Sequence, residues 1–271
     1  MPPTLQWSAH TDRGKIRSNN EDSFLGLRFN ASEVQYLGKI GEASLEQTDF
    51  TFAVSDGIGG AKAGEFASRT AVDKITRLLP RAYRQTATGI AAGMEDVLGE
   101  LYDQIHRALM YLGSSYPECA GMGATLTLCW FTPDRLHWAH IGDSRLYYLP
   151  VHGGGIRQVS HDDTHVGWLF RQQKINEREA RSHPRRNLLQ RALGAGHQFV
   201  EPQVGTILFE PGDQFLLCSD GVTDGSYDYQ LLEELRLEQA DTAWNPAPGL
   251  VAAAVDRSGR DNTTALVVRV V

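Results

Sequence analysis

The sequence predicts an α+β fold, with helices packed on antiparallel sheets in one domain. Three observations predict it. Short runs rich in β-branched and aromatic residues, bounded by Gly, Pro, Asp or Asn, fill both ends of the chain, which marks strands. Two segments between them carry apolar residues at helical spacing. Strands followed by helices and then strands again argue for layers, and no repeat or low-complexity linker divides the 271 residues.

Taken in order, strand-like runs occur at 5–11 (LQWSAHT), 49–55 (DFTFAVS), 124–131 (ATLTLCWF), 135–142 (RLHWAHIG), 145–150 (RLYYLP), 203–209 (QVGTILF), 214–219 (QFLLCS) and 263–271 (TTALVVRVV). The three runs within 124–150 are separated by TPD and DS and read as an antiparallel meander. Ala63, Phe66, Ala67, Ala71, Ile75, Leu78 and Leu79 share one helical face that ends at Pro80. Ile90, Met94, Val97, Leu98, Leu101, Ile105, Leu109 and Leu112 share another. Further helices are predicted at 228–240 and 247–258, the latter stopped by Gly259. The stretch 161–193 is charged and rich in His and Arg, with a capping box at Asn176–Glu179; it predicts a mobile flap. The weakly periodic 30–48 predicts an extended loop holding a short strand or helix.

A net charge of −7 gives no long-range attraction to nucleic acid or to an anionic membrane, so neither is an expected partner. Cys119, Cys129 and Cys218 have no metal-type spacing and fit structural thiols in a reducing compartment. No segment approaches the roughly 18 apolar residues of a membrane helix, and residues 1–15 show no apolar signal core. A cytoplasmic monomer is expected.

Four segments share an acidic character: Ser55-Asp56-Gly57, Gly142-Asp143-Ser144, Ser219-Asp220-Gly221 and Arg260-Asp261-Asn262. One Asp-Gly at a strand end is most often only a turn former. If the strand ends share one edge, however, four carboxylates converge and raise one another's pKa unless cations lie between them. All-oxygen ligation without a His or Cys pattern favours Mg²⁺ or Mn²⁺. Gly57 and Gly221 would let the backbone turn sharply and approach an ion. Two such ions would acidify a bridging water and clamp a phosphoryl group for in-line attack. Arg17, four positions before Glu21 and Asp22, could anchor phosphate through its two parallel donors; alone it would read as a surface ion pair with Glu21.

Together these residues resemble the metal-dependent protein serine/threonine phosphatases of the protein phosphatase 2C family, especially its bacterial branch. The blocks run in the family's order: TDRGKIRSNNEDSF (11–24), AVSDGIGGAKAGEFAS (53–68), GMGATLT (121–127), AHIGDSRLYYL (139–149), QVSHDDT (158–164), HPRRNLLQRALG (183–194), LLCSDGVTD (216–224) and GRDNTTALVV (259–268). The resemblance implies a four-layer α/β/β/α sandwich with a metal channel at one end. It implies that Asp56 bridges two core ions, the Gly57 carbonyl helps hold the second, and Asp220 and Asp261 hold the first. Glu21 would act through water with Asp22 nearby, Asp143 and Asp220 would match a third, weaker bacterial site, and Arg17 would match the phosphate-binding arginine.

Two departures stand out. Many eukaryotic members carry a His two residues after the bridging Asp, proposed to protonate the leaving alkoxide, where this chain has Ile58. The family's Asp-His-Ser/Thr reads Asp162-Asp163-Thr164. His161, His165 and His183 of the flap are left outside the catalytic set. Gly121, Gly123 and Thr125 read as packing where a strand begins, Arg145 as support for the Gly142–Ser144 turn, and Asn262 as orienting Asp261 from behind. The expected activity is hydrolysis of phosphoserine and phosphothreonine in proteins by a metal-bridging hydroxide, opposing a serine/threonine kinase. A non-catalytic phosphoprotein-binding module would have lost the carboxylates. A hydrolase of small phosphoesters would call for a closed pocket.

Overall fold

A computed structural model describes residues 2–87, 93–237 and 244–271; Ile90 and positions 238–240 of the predicted helices lie outside them. Along the chain run β1 (Thr4–Asp12), β2 (Asp22–Phe29), β3 (Val34–Tyr36), β4 (Ile40–Ser44), β5 (Asp49–Ile58), α1 (Ala61–Ala87) and α2 (Met94–Ser115). There follow β6 (Gly123–Ala124), β7 (Leu126–Phe131), β8 (Arg135–Ile141), β9 (Arg145–Leu149), β10 (Arg157–Gln158), α3 (His165–Arg171) and α4 (Glu177–Ser182). The last elements are β11 (Leu193–Gly194), β12 (Gln203–Leu208), β13 (Gln214–Cys218), α5 (Asp220–Gly225), α6 (Asp228–Leu237), α7 (Pro246–Arg257) and β14 (Thr263–Val270).

Two antiparallel sheets form the centre. One has the order β10-β9-β13-β14-β1-β4; the other runs β11-β6-β5-β7-β8-β12, with β2 paired to β5 and β3 to β2. Three apolar clusters mark the interfaces of four layers. Ala67, Ala71 and Ile75 of α1 and Leu98, Leu101 and Ile105 of α2 meet Leu27, Ala53 and Leu128 on one sheet. Between the sheets lie Trp7, Phe52, Phe131, Phe215 and Val268. On the far side, Leu216 and Val267 pack on Leu231, Leu250 and Val251 of α6 and α7. Strand β5 alternates, sending Phe50, Phe52 and Val54 between the sheets and Ala53 toward the helices, so it is buried on both faces from Phe50 to Ser55. Phe131 meets Phe52 of its own sheet and Phe215 of the other edge-on at 5.9 and 5.4 Å, each contact adding about 0.5–1.5 kcal/mol beyond area burial and the second joining the sheets.

The predicted sandwich is the observed one, with local differences. The strand after 142 does not complete a meander: β7 and β8 form a hairpin, but β9 pairs with β13 in the other sheet. The Gly142–Ser144 link therefore crosses between sheets, with Gly142 at φ +111°. Helix α1 continues through Pro80. A proline there removes one helix hydrogen bond, and sheet packing beyond it, where Tyr83 meets Phe29 edge-on at 5.8 Å, offsets the loss. Phe66, placed on the buried face by its spacing, is 45% exposed. The 30–48 segment holds two short strands, β3 and β4. Among the described residues no helix is long and apolar enough to cross a membrane.

Candidate metal centre

Strand ends from both sheets meet at one edge, where Arg17, Glu21, Asp56, Gly57, Asp143, Asp220, Asp261 and Asn262 line a single cleft of about 670 Å³. The two Ser-Asp-Gly segments reach it differently. Ser55-Asp56-Gly57 is still strand, since β5 runs to Ile58 and pairs Gly57 with Ala124. Ser219-Asp220-Gly221 starts a helix, with Ser219 at its cap position. Neither is a turn. Neither glycine has a left-handed φ, so the sharp turn expected of them is absent. A Cβ on Gly57 would collide with the Gly64 main chain in α1, and one on Gly221 with the Asn262 main chain. These glycines let backbones interlock behind the cleft.

Asp22 lies behind the cleft and bolts the two sheets together. It sits across from Asp56 in the β2–β5 register, and its Oδ2 accepts from Ser219 Oγ at 2.7 Å and Thr264 Oγ1 at 2.6 Å. Asn262 organises the 13–21 loop: Oδ1 accepts from the Glu21 N–H at 2.7 Å, and Nδ2 donates to Arg13 O and Asn19 O. It touches Asp261 through its main-chain N–H, at 2.9 Å, rather than through its side chain. Arg17 Nη2 pairs with Asp261 Oδ2 at 2.6 Å, in place of the Glu21 pairing considered from spacing.

Thr125 does more than pack. Its Oγ1 accepts from the Asp56 N–H at 2.9 Å and meets Ser144 Oγ at 2.8 Å, while its own N–H donates to Asp56 O. It thus ties Asp56 to the turn carrying Asp143. Asp163, where the family's His would stand, holds the same turn: Oδ2 accepts from the Gly142 N–H at 3.1 Å, and Oδ1 from Arg191 at 2.6 Å. Arg145 forks onto Asp162 at 2.8 and 2.7 Å rather than onto the turn itself. Nothing local in the sequence announces Thr125 or Asp163 as supports, because each acts across strands.

The electrostatics are those of a cation site. Burial, then the charges of Asp22, Asp220, Asp143 and Asp261, push the Asp56 carboxyl well above its ordinary range. Burial, then Asp143 and Asp261, does the same to Asp220. Burial and Asp162 raise Asp143 to about 7, against the counter-pull of Arg145, and burial raises Asp22 to about 6. Asp56, Asp143, Asp220 and Asp261 are only half-buried and face the cleft, whereas Asp22 is covered, so cleft water screens the four and spares them part of this cost. Asp220 Oδ1 and Asp22 Oδ1 are buried without a hydrogen-bond partner. Among the described residues no three His, Cys, Asp or Glu side chains already stand at metal-ligand spacing. A hard ion of the Mg²⁺ kind is held by one or two carboxylates, with water and other oxygens completing its shell. Carboxylates spread round an open cleft therefore fit it.

The Asp22, Asp56, Asp143 and Asp220 carboxyls have folded pKa values above their unfolded ones, so the folded chain holds more protons than the unfolded chain between about pH 4 and 7. In chelator, stability is therefore expected to fall as pH rises through that window, because ionisation costs more in the folded cluster. Thermal melts at pH 5 and pH 7.5 should show the lower melting temperature at pH 7.5, and Mn²⁺ should remove the difference; a chelator-treated protein more stable at pH 7.5 contradicts it.

Fold and site define a class: an α/β/β/α sandwich whose edge gathers carboxylates and an arginine in one cleft. The protein phosphatase 2C family model matches residues 40–248. The serine/threonine phosphatase stp of Listeria monocytogenes is 32% identical over 95% of this chain and 93% of its own. The serine/threonine protein phosphatase PstP of Mycobacterium tuberculosis is 34% identical over 98% of this chain, which spans only 45% of that relative's length. A crystal structure of PstP superposes with a TM-score of 0.77 at 33% identity, covering 98% of each chain. The PstP catalytic domain in complex with two manganese ions superposes with a TM-score of 0.76 at 31% identity, covering 99% of each. The chain belongs to the protein phosphatase 2C family.

Proposed function

We propose that the chain hydrolyses phosphoserine and phosphothreonine in proteins with divalent metal ions. The observation that carries this reading is the delivery of Asp56, Asp143, Asp220 and Asp261 to one cleft from different parts of the chain, the first three burdened by burial and by neighbouring charge. Asp56 would lie between two core ions, with the Gly57 carbonyl on the second, Asp220 and Asp261 on the first, and Glu21 reaching them through water. Asp143 and Asp220 would hold a third, weaker ion. When bound, Mn²⁺ or Mg²⁺ supplies an acidified water and neutralises charge on the phosphoryl oxygens. The manganese complex of the PstP catalytic domain supports that choice of ions.

The chain's own residues do the rest. Asp22, Ser219 and Thr264 hold the sheets in register beneath the carboxylates. Thr125 and Asp163 fix the two elements that carry Asp56 and Asp143. Arg17, half-exposed at the mouth, exchanges Asp261 for a substrate phosphate. The cleft rim is open, with Leu188 58% exposed, which suits a protein segment better than a small ester. The 161–193 segment, anchored by Arg181 to Thr223 O and by Arg186 to Asp224, is a flap over that rim. The partners are phosphoproteins and a serine/threonine kinase acting on them, in the cytoplasm, without nucleic acid or membrane, and the protein acts as a monomer.

The test is phosphate release from a phosphothreonine peptide by the purified chain in Mn²⁺ and then in chelator. Release that stops in chelator and returns with Mn²⁺ is expected; chelator-insensitive release overturns the metal reading. Arg17→Ala is expected to raise KM for the peptide about tenfold, the loss of roughly one charge-assisted contact. An unchanged KM contradicts its anchoring role.

A further inference from the structure

A serine or threonine alkoxide is a poor leaving group, so phosphoester cleavage is accelerated by a positioned acid. Position 58, two residues past Asp56, is an isoleucine and cannot supply a proton. The ionisable side chains lining the cleft are Arg17, the carboxylates described above, and His197. Arg17 does not give up its proton, and the carboxylates are the groups proposed above to hold the cations. Among the described residues that line the cleft, the His197 imidazole is the remaining side chain able to donate a proton.

The local structure is built to present it. In register, Ile58 of β5 faces Gly123 of β6, which faces Gly194 of β11. The turn that follows is therefore two strand spacings, about 10 Å, along the cleft wall from Ile58. Gly194, Ala195 and Gly196 all take left-handed φ, +70°, +50° and +77°. Such a backbone is strained for alanine and persists only where its surroundings hold it. They do: Ala195 N–H donates to Met122 O at 2.7 Å and His197 N–H to Gly194 O at 3.1 Å.

A buried histidine clamps the turn from below. His106 of α2 is 5% exposed, and its Nδ1 accepts from the Gly194 N–H at 3.0 Å. The ring proton therefore lies on Nε2, and the nearby His197 main chain favours the protonated ring against the larger, opposite effect of burial. Burial keeps the His106 pKa below its ordinary value, consistent with a neutral clamp. One histidine is fixed inside so that another stands at the cleft.

We propose that His197 is the proton donor to the departing serine or threonine oxygen, and that His106 is its positioning residue. The inference rests on the phosphatase reading above. In the step, a water oxygen forms the new P–O bond while the P–O bond to the side chain breaks. The departing oxygen takes the imidazolium proton and leaves as a neutral hydroxyl. The imidazole regains a proton from solvent, and the attacking water loses one to solvent. The net change is phosphomonoester plus water to alcohol plus inorganic phosphate.

Leaving-group dependence tests it. In Mn²⁺, wild type, His197→Ala and His106→Gln are compared on a phosphothreonine peptide and on p-nitrophenyl phosphate, whose phenolate leaves without a proton. For His197→Ala, kcat on the peptide is expected to fall about 100-fold, and by at least about tenfold more than on the aryl ester. His106→Gln is expected to show a smaller split of the same sign. A His197→Ala variant with equal losses on both esters, or with no loss on either, overturns the assignment. A series of aryl phosphates of rising leaving-group pKa gives a second readout: a steeper rate dependence in His197→Ala supports the role, and equal slopes overturn it. Wild type inert toward every ester removes the phosphatase reading and the inference with it.

Discussion

Asp56→Asn is expected to lower kcat/KM on a phosphothreonine peptide by about a thousandfold or more, while raising the melting temperature of the chelator-treated protein. The loss of activity follows from where Asp56 sits. It lies at the end of β5, opposite Asp22, with Asp143, Asp220 and Asp261 all acting on its charge, and the proposed function sets it between the two core ions. Each factor of ten in rate is about 1.4 kcal/mol, and loss of metal-centred charge stabilisation is worth several kcal/mol. The gain in stability has the opposite origin. The folded cluster disfavours the ionised Asp56 carboxyl, and a neutral amide of the same shape relieves that repulsion. With saturating Mn²⁺ the order should reverse, because wild type gains binding energy that the variant lacks. Melts of both proteins in chelator and in Mn²⁺, beside initial rates, check all three signs.

Gly57→Ala is expected to destabilise the protein by about 4 kcal/mol or more, a value reserved for severe steric or packing faults. Its Cβ would fall on the Gly64 main chain, while a Cβ on Gly64 would fall on the Glu21 carboxylate. Strand β5, helix α1 and the Glu21 loop are thus interlocked without room for one methyl group. Neither partner is a flexible side-chain tip on the Gly57 side, so the strand or the helix must shift. For a domain of this size the melting temperature should drop by about 10 °C, and activity should fall with it because Asp56 precedes the displaced residue. Gly154→Ala is the control: nothing lies within 4 Å of its Cβ position and its φ is not left-handed. A melting temperature for Gly57→Ala equal to that of Gly154→Ala contradicts the interlock.

The carboxylates were legible in the sequence because each lies beside a strongly apolar strand, and strand ends in a sandwich share an edge. Asp56, Asp143, Asp220 and Asp261 reached the same cleft by that logic. The layering was legible for the same reason, from periodicity. Three things were not. The crossing of the chain between sheets at Gly142–Ser144 has the local signature of a hairpin, and only the pairing of β9 with β13 distinguishes the two. Asp22 reads as a neighbour of Glu21, yet its work is done against Ser219 and Thr264, far away along the chain. His106 and His197 belong to a helix face and an ordinary Gly-rich turn, and only β6, placed between Ile58 and Gly194, brings them to the site. What sequence spacing missed is in each case a contact across elements.

The most direct test of the central reading is calorimetric titration of Mn²⁺ into the chelator-stripped protein, alongside Asp56→Asn. Saturable tight binding of about two ions per chain is expected, beside the weaker third, with its loss or reduction to weak binding in the variant. Absence of binding by the wild-type chain, or an unaltered isotherm for Asp56→Asn, contradicts it.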